Sequence, residues 1–466
     1  MLKRAIGISM AFTGVIVGAG FASGQEAMQY FVSFGEAGFW GVALAAALMM
    51  ISGIAILQLG SYFQADEHTA VYDKVSGPIT SKVMDWATLA TLFSIGFVMF
   101  AGGGSNLQQQ FGWPAWVGGL IMLVLVLLTG KLDVDKVTNV IGIITPFIII
   151  FIVAATVYTI VTTDVDLSDA NNYAMQEVET TLPNWWISAL NYTGLNVLCA
   201  VSMSIVIGGN FLDGRSVGLG GLFAGFIYLV LLSLLVVSLF FVVREVNGQD
   251  LPVLEMINQI NPVLTYPMTI AIFGMVFNTA VGMFYALSKR LTRNNPEKFY
   301  LFYAVSCLIG FALSFVGFKQ LVGGVYPILG YLGLIVIVVM SVSWIKNRGK
   351  LNEESDRRRR ARVLVARKLD PRKRFTLKNK KELSKLAAAS NMDKPEFVEA
   401  VSEEILDELE ADDELEDFDR ENPDPSVTYV VHTEPVSQEQ AADLDFDGKG
   451  ADKLAKVVEK KRNKPE

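Results

Sequence analysis

Glu26 is the one acidic or basic residue set well inside a long apolar run, and it closes the stretch Gly18-Ala19-Gly20-Phe21-Ala22-Ser23-Gly24-Gln25-Glu26. A carboxyl group at membrane depth is costly and by default marks a functional position, here a proton or ion carrier. Its structural alternative is a helix cap. Ser23-x-x-Glu26 ahead of Ala27-Met28-Gln29-Tyr30-Phe31 is a capping-box pattern, with Ser23 as N-cap and Glu26 reaching back to the Ser23 N–H. The two roles are compatible, because protonation of Glu26 would weaken the cap.

The run holding this motif extends over 5–34. As one straight helix it would rise roughly 43 Å, well beyond a hydrocarbon core of about 30 Å. Gly14, Gly18, Gly20 and Gly24 fall within eleven positions, each costing about 1 kcal/mol relative to Ala in a helix interior. Together with a helix-start signal in mid-run, this predicts an unwound break. Broken backbone is tolerated at that depth only where it is buried in protein or lines a watery cavity. There its free N–H and C=O groups can hold a solute or an ion. Two plainer readings compete. Gly14-x-x-x-Gly18 and Gly20-x-x-x-Gly24 are also packing faces for an intact helix. Lys3-Arg4 before an apolar stretch ending Ala19-Gly20-Phe21-Ala22 has the outline of a signal peptide, although the apolar run continues past that point.

A break of this kind needs other spans around it. Ten apolar stretches can be read, at about 5–34, 38–63, 83–111, 114–129, 137–162, 185–209, 216–243, 264–288, 299–316 and 320–345. The charge distribution orients them. With the N-terminus inside, the inner loops hold eleven Lys and Arg residues and the outer loops only Arg244 and Lys319. The loop 163–184 carries five acids and no base, as suits the outside. The expected class is an all-α multi-pass membrane protein, with a transporter core at 1–346 and both termini cytoplasmic. Five spans followed by five of opposite orientation form an inverted repeat, about 1–165 and 185–346.

In such a repeat the sixth span is the partner of the first. It holds Asn191-Tyr192-Thr193-Gly194-Leu195-Asn196, whose amides and hydroxyl should face the protein interior. Asn191, Thr193, Gly194 and Asn196 are therefore candidate solute ligands beside Gly18 to Gly24. The eighth span holds Asn278-Thr279 and Gly282. Amide and hydroxyl oxygens there suit a Na⁺ site, or an ordinary interhelical hydrogen bond. Glycine clusters at 102–104 and 323–324 fit close helix packing.

The remainder is a tail, 347–466. From residue 346 on, the chain carries 26 Lys and Arg against 29 Asp and Glu, compared with 13 and 18 before it. The run Arg357-Arg358-Arg359-Arg360 next to a span favours anionic lipid. Phe397, Val401, Ile405 and Leu409 form an i, i+4 stripe, the mark of a short acidic amphipathic helix. The rest of the tail has the composition of disorder. Cys199 and Cys307 sit in apolar runs and read as buried hydrophobes, and neither His68 nor His432 lies in a span. No zinc-protease, nucleophile-elbow or phosphate-loop motif is present, and nothing points to an enzyme or to nucleic acid.

The stretch Gly18–Glu26 resembles the YkvI-like membrane proteins, within the amino acid–polyamine–organocation superfamily. The span count and the long outside loop before the sixth span agree, and the resemblance covers about 1–346. It implies a LeuT-like fold with the first and sixth helices broken, a bacterial inner membrane, and a small amine- or amino-acid-like solute. It places an ion site at Val17 to Gly20 with Asn278, Thr279 and Gly282. It places the solute's carboxylate on N–H groups of Phe21 to Gly24, and its ammonium on carbonyls of the sixth span. No cofactor is implied beyond a coupling ion, Na⁺ or H⁺. An adjacent pair of hydroxyls late in the eighth span, usual for Na⁺ in that fold, is not evident here. The reading is an ion-coupled secondary transporter. The alternative is a membrane-embedded solute sensor or scaffold with the tail as its output. Solute, direction and oligomeric state are left open by the sequence.

Overall fold

The computed structural model describes residues 2–131, 144–370, 372–373 and 375–410. The start of the fifth apolar stretch and the tail from 411 onward lie outside the described residues. All the regular structure described is helical. The first apolar run gives three pieces, α1 (Leu2–Ile16), α2 (Ala19–Ser23) and α3 (Gln25–Tyr30). Next come α4 (Ala37–Phe63), α5 (His68–Val75), α6 (Pro78–Phe111), α7 (Ala115–Thr129), α8 (Ile144–Thr162) and α9 (Leu167–Glu177). The second half holds α10 (Trp185–Gly209), α11 (Gly214–Phe241), α12 (Val243–Val246), α13 (Pro252–Ile260), α14 (Thr265–Leu291), α15 (Phe299–Leu313) and α16 (Phe318–Leu369). The tail adds α17 (Leu377–Ala389) and α18 (Lys394–Glu410). Among the described residues seven helices are long and apolar enough to cross a membrane, and α7 and the apolar part of α8 are shorter. With the interrupted first run they make ten spans, five in each half.

Contacts divide the chain into two compact units. The first is the membrane unit, 1–60, 65–208 and 216–345. One close seam joins α10 and α16. Gly194 lies against the backbone at Gly330 and Gly333, and a Cβ at any of the three would strike the facing main chain. The side chains bolt the same seam. Asn191 Nδ2 donates to Pro327 O at 2.8 Å. Pro327 has no N–H, so the Gly323 carbonyl loses its donor four residues on, and the Thr181 hydroxyl supplies one at 2.8 Å. On the loop before α10, Arg244 grips Asp169 of α9 with two bonds of 2.8 and 2.6 Å. That guanidinium holds the Asp169 carboxyl below the usual carboxylate range.

The second unit comprises Ser61–Gln64, Gly209–Arg215 and the chain from Lys346. Composition alone leads one to expect short helical segments in a largely disordered tail. In the structure, the tail end of α16 with α17 and α18 encloses an apolar core. Phe397, Val401, Ile405 and Leu409 pack there with Leu364, Phe375 and Leu383, and all are buried. The stripe on α18 is therefore a core face. The basic run is not left free. Arg357 pairs with Glu353 and Glu354, Arg359 with Asp356, and Arg360 with Glu382. Arg358, 2 % exposed, donates to Ser61 O at 2.7 Å, to Tyr62 O at 2.9 Å and to Glu354 Oε1 at 3.0 Å. Asn391 completes this clasp, accepting from Arg358 at 2.9 Å and donating to Tyr62 O at 2.6 Å.

Candidate functional site

The first span breaks where its glycines begin. Val17 N–H closes the last turn of α1 on Thr13 O at 2.8 Å, but Gly18 N–H turns to Ile16 O at 3.0 Å. Gly18 is extended, with φ −104° and ψ −161°. Phe21 and Ala22 N–H both return to the Gly18 carbonyl, at 3.2 and 3.3 Å. An unbroken helix would pair the Gly14 and Val17 carbonyls with the N–H groups of Gly18 and Phe21. Both donors point elsewhere, so both carbonyls fall out of the helical ladder. Beside the break nothing stands within 4 Å of where a Cβ of Gly18 would be.

A second reset follows at Gly24. Its φ of 77° is left-handed, a conformation glycine adopts at no steric cost. A side chain there would also meet Val253 Cγ2 of α13 at 2.7 Å. Gly24, not Ser23, is thus the N-cap of α3. The capping-box expectation is off by one residue, because the positive φ places the helix start after the glycine. Ser23 still serves both sides of the turn, accepting from Gln25 N–H at 3.2 Å and donating to Gly20 O at 2.9 Å. Of the N–H groups from Phe21 to Gly24 expected to meet a carboxylate, three have acceptors within the break in this structure. The N–H groups of Phe21 and Ala22 are taken by Gly18 O, and that of Gly24 by Gly20 O.

Glu26 is consequently not a capping residue. Its carboxylate folds back over Gly20 and fills the volume a Cβ at that position would need. It is 8 % exposed. Its hydrogen-bond partner is the Tyr192 hydroxyl, and no Lys, Arg or His among the described residues pairs with it. Tyr30, Tyr228 and Tyr326 also lie within electrostatic range of the carboxylate. These four tyrosines come from α3, α10, α11 and α16, and each is at most 2 % exposed. The Tyr30 and Tyr192 ring centroids stand 5.1 Å apart, and Phe31 meets Tyr192 edge-on at 5.0 Å. The tyrosines were missed by sequence reasoning, although a phenol in mid-span needs a polar partner and is itself a signal.

The sixth span does not break. α10 is helical from Trp185 to Gly209, against the expectation of a second unwound segment. Its interior has one glycine before Gly208 and no proline. Its polar side chains reinforce the ladder: Thr193 donates to Ala189 O at 2.8 Å and Asn196 to Tyr192 O at 2.9 Å. Asn191 is spent on Pro327 and on the Tyr30 hydroxyl, which donates to its Oδ1 at 3.3 Å. Gly194 belongs to the α10–α16 seam. Of the sixth-span candidates, Asn196 lies one turn from Tyr192. In the eighth span, α14 packs against α2. Asn278 and Thr279 are half-buried on it, and Gly282 is exposed.

A separate polar network lies at the other end of these helices. His68 bridges Ser202 Oγ at 2.9 Å and Asp85 Oδ1 at 3.1 Å, and Arg290 donates to Asp85 Oδ2 at 2.9 Å. It ties α5, α6, α10 and α14 together. The sequence carried little sign of it beyond an acid near the start of the third span and a base near the end of the eighth.

No family profile matches the sequence. The chain is 25 % identical over 330 residues to an uncharacterized membrane protein YkvI of Bacillus subtilis (strain 168), covering 71 % of this chain and 93 % of that one. It is 23 % identical over 345 residues to an uncharacterized protein YyaD of the same organism, covering 72 % and 96 %. Among solved structures it is similar to MhsT in complex with L-phenylalanine. The TM-score is 0.52 with 12 % identity, over 85 % of this chain and 96 % of that one, a likeness of fold. The chain is thus a multi-pass relative of the YkvI-like membrane proteins, built on the LeuT-like fold of five plus five spans.

Proposed function

We propose that the chain is a secondary transporter of a small amino-acid- or amine-like solute, coupled to Na⁺ or H⁺, working by alternating access in a bacterial cell membrane with both termini cytoplasmic. The observation that carries this reading is the break at Val17–Gly18, with a buried carboxylate laid over Gly20 a few residues on. Unwound backbone and an unpaired acid in a membrane interior are both costly. Together they make sense as a binding site that must open to each side in turn. The relation to transporters of this fold supports the same reading by analogy only.

The test is counterflow in proteoliposomes preloaded with unlabelled amino acids or amines, with Gly20→Leu as the control. Labelled solute should accumulate transiently with the native protein and not with the variant. Equal accumulation with Gly20→Leu would remove the site from the mechanism. A truncation after Lys350 separates this function from sensing through the tail. A transporter keeps most of its flux without the tail, and flux abolished with the membrane unit still folded would favour the sensor.

A further inference from the structure

We propose that the tail controls access to the membrane unit: its Arg358–Asn391 clasp fixes the elbow between α4 and α5, and so holds α5 as a bar across the ends of α6, α10 and α14. This rests on the transporter reading, since it assigns a control to the access route.

The elbow needs support from outside itself. Gln64 has a φ of 45°, and among the described residues no other residue than glycine has a positive φ. That backbone is unfavourable for a residue with a side chain. The turn closes through Gln64 N–H on Ser61 O at 3.3 Å and Ala65 N–H on Gly60 O at 3.2 Å. The Gln64 side chain donates to Ser61 O at 2.7 Å and to Phe211 O at 3.2 Å, and the Ser61 hydroxyl donates to the same Phe211 carbonyl at 2.6 Å. The tail supplies the rest. The buried Arg358 guanidinium takes both Ser61 O and Tyr62 O, and Asn391 adds a second donor to Tyr62 O. These carbonyls belong to the last turn of α4, where a helix runs out of its own donors. A guanidinium laid across two of them fixes the direction in which the chain leaves α4.

His68 opens α5 a few residues after Gln64. With eight residues, α5 is too short to be stable alone, and its anchors lie on other helices. His68 bridges Ser202 of α10 and Asp85 of α6, and the Tyr72 hydroxyl meets that of Thr88 of α6 at 3.3 Å. Glu67, just before α5, pairs with Arg293, just after α14, at 2.9 Å. Asp85 extends the link to Arg290 of α14. α10 carries Tyr192, and α14 packs on α2, so these are helices that flank the break. They cannot part at this end while α5 spans them. An elbow fixed by the clasp delivers His68 to its two partners, and an elbow freed from it lets α5 leave. Release of the tail therefore opens the route at this end, and the intact clasp keeps it shut between turnovers.

Hydrogen–deuterium exchange of the purified full chain tests the link, and thiol labelling tests its consequence. Cys199 lies on α10 one turn before Ser202 and within electrostatic range of Glu26, so it reports whether the site is open at this end. In a Cys307→Ala background it is the only thiol. Arg358→Met should raise amide exchange in α5 and the rate of Cys199 labelling by N-ethylmaleimide, each by about tenfold or more. Asn391→Ala, at an exposed position, should do the same in smaller measure. His68→Ala should also raise labelling, and adding Arg358→Met to it should raise it no further, because both act on one bar. Unchanged α5 exchange in both tail variants, faster exchange with unchanged labelling, or additive labelling from Arg358→Met and His68→Ala would overturn the proposal. If Arg358→Met does not fold, Asn391→Ala decides. Labelling that rises on release of the tail, with no counterflow of any amino acid or amine, would leave the bar standing and remove the transporter reading. Counterflow with α5 unmoved by either tail variant would do the reverse.

Discussion

The placement of the Glu26 carboxylate over Gly20 makes Gly20→Ala a test whose sign depends on a second residue. In the native background the new Cβ would overlap the carboxylate, which must swing away and give up its bond to Tyr192. A hydrogen bond to a charged group contributes about 1.5–3 kcal/mol. With an unfolding entropy of about 2.1 cal/mol/K per residue over the roughly 330 residues of the membrane unit, that loss lowers Tm by roughly 2–4 °C. In a Glu26→Ala background nothing remains for the Cβ to strike. Gly20 lies inside α2, so replacing glycine there gains up to about 1 kcal/mol in helix propensity, and Tm should rise by about 1 °C. The assay is a thermal melt of the four purified proteins, read as a double-mutant cycle, with an expected coupling of about 2–4 kcal/mol. Equal losses from Gly20→Ala in both backgrounds would refute the placement of the carboxylate.

Gly24→Ala should cost about 1–2 kcal/mol for the left-handed backbone alone, with more from the crowding at Val253, read as a fall in Tm that Val253→Ala partly restores. Arg358→Met takes one of two guanidiniums from buried Glu354, leaving Arg357 on it, and removes the bonds to the Ser61 and Tyr62 carbonyls, a loss of about 1.5–3 kcal/mol, so limited proteolysis of the full chain should cut between Lys346 and Glu410. Arg358→Met with Glu354→Leu should recover much of the protection. For Asp370, burial pushes the carboxyl up, but bonds from Arg372 and Lys373 outweigh it and bring it down to about 2. A depressed acid stabilises fully above its unfolded value near 3.8 and loses that contribution as pH falls toward 2. Tail protection in the same proteolysis, with pepsin as the protease, should therefore decline between about pH 4 and pH 2, and Asp370→Asn should lower it at neutral pH and flatten the decline. Asp85→Asn removes the charge shared by Arg290 and His68 and should lower Tm by roughly 2–4 °C.

What the sequence disclosed followed the range of each interaction. The break was legible because glycine acts locally: four within eleven residues overwhelm helix propensity whatever surrounds them. The exact start of α3 was not, because the choice between Ser23 and Gly24 turned on a backbone angle fitted to Val253, far along the chain. The second break was inferred from symmetry and polarity, and polarity misled. Asn and Thr in α10 bond to carbonyls four residues back or to the neighbouring helix, so they hold a helix rather than open one. The stripe on α18 was readable from its period, but not the helices that cover it. The Arg358 clasp and the His68 network join residues up to 297 positions apart, and no local pattern announces those distant contacts.

The glycine seam between α10 and α16 bears on how such a protein could move. Two rods in main-chain contact, pinned by Asn191 at Pro327, have no slack to slide or rotate past each other without losing their fit. Any swing during turnover would then fall on the opening segment, where Gly18 and Gly24 act as swivels on either side of a single helical turn. That turn would work as a crank, and the carboxylate resting on it would be carried from one face of the membrane toward the other by a few backbone torsions.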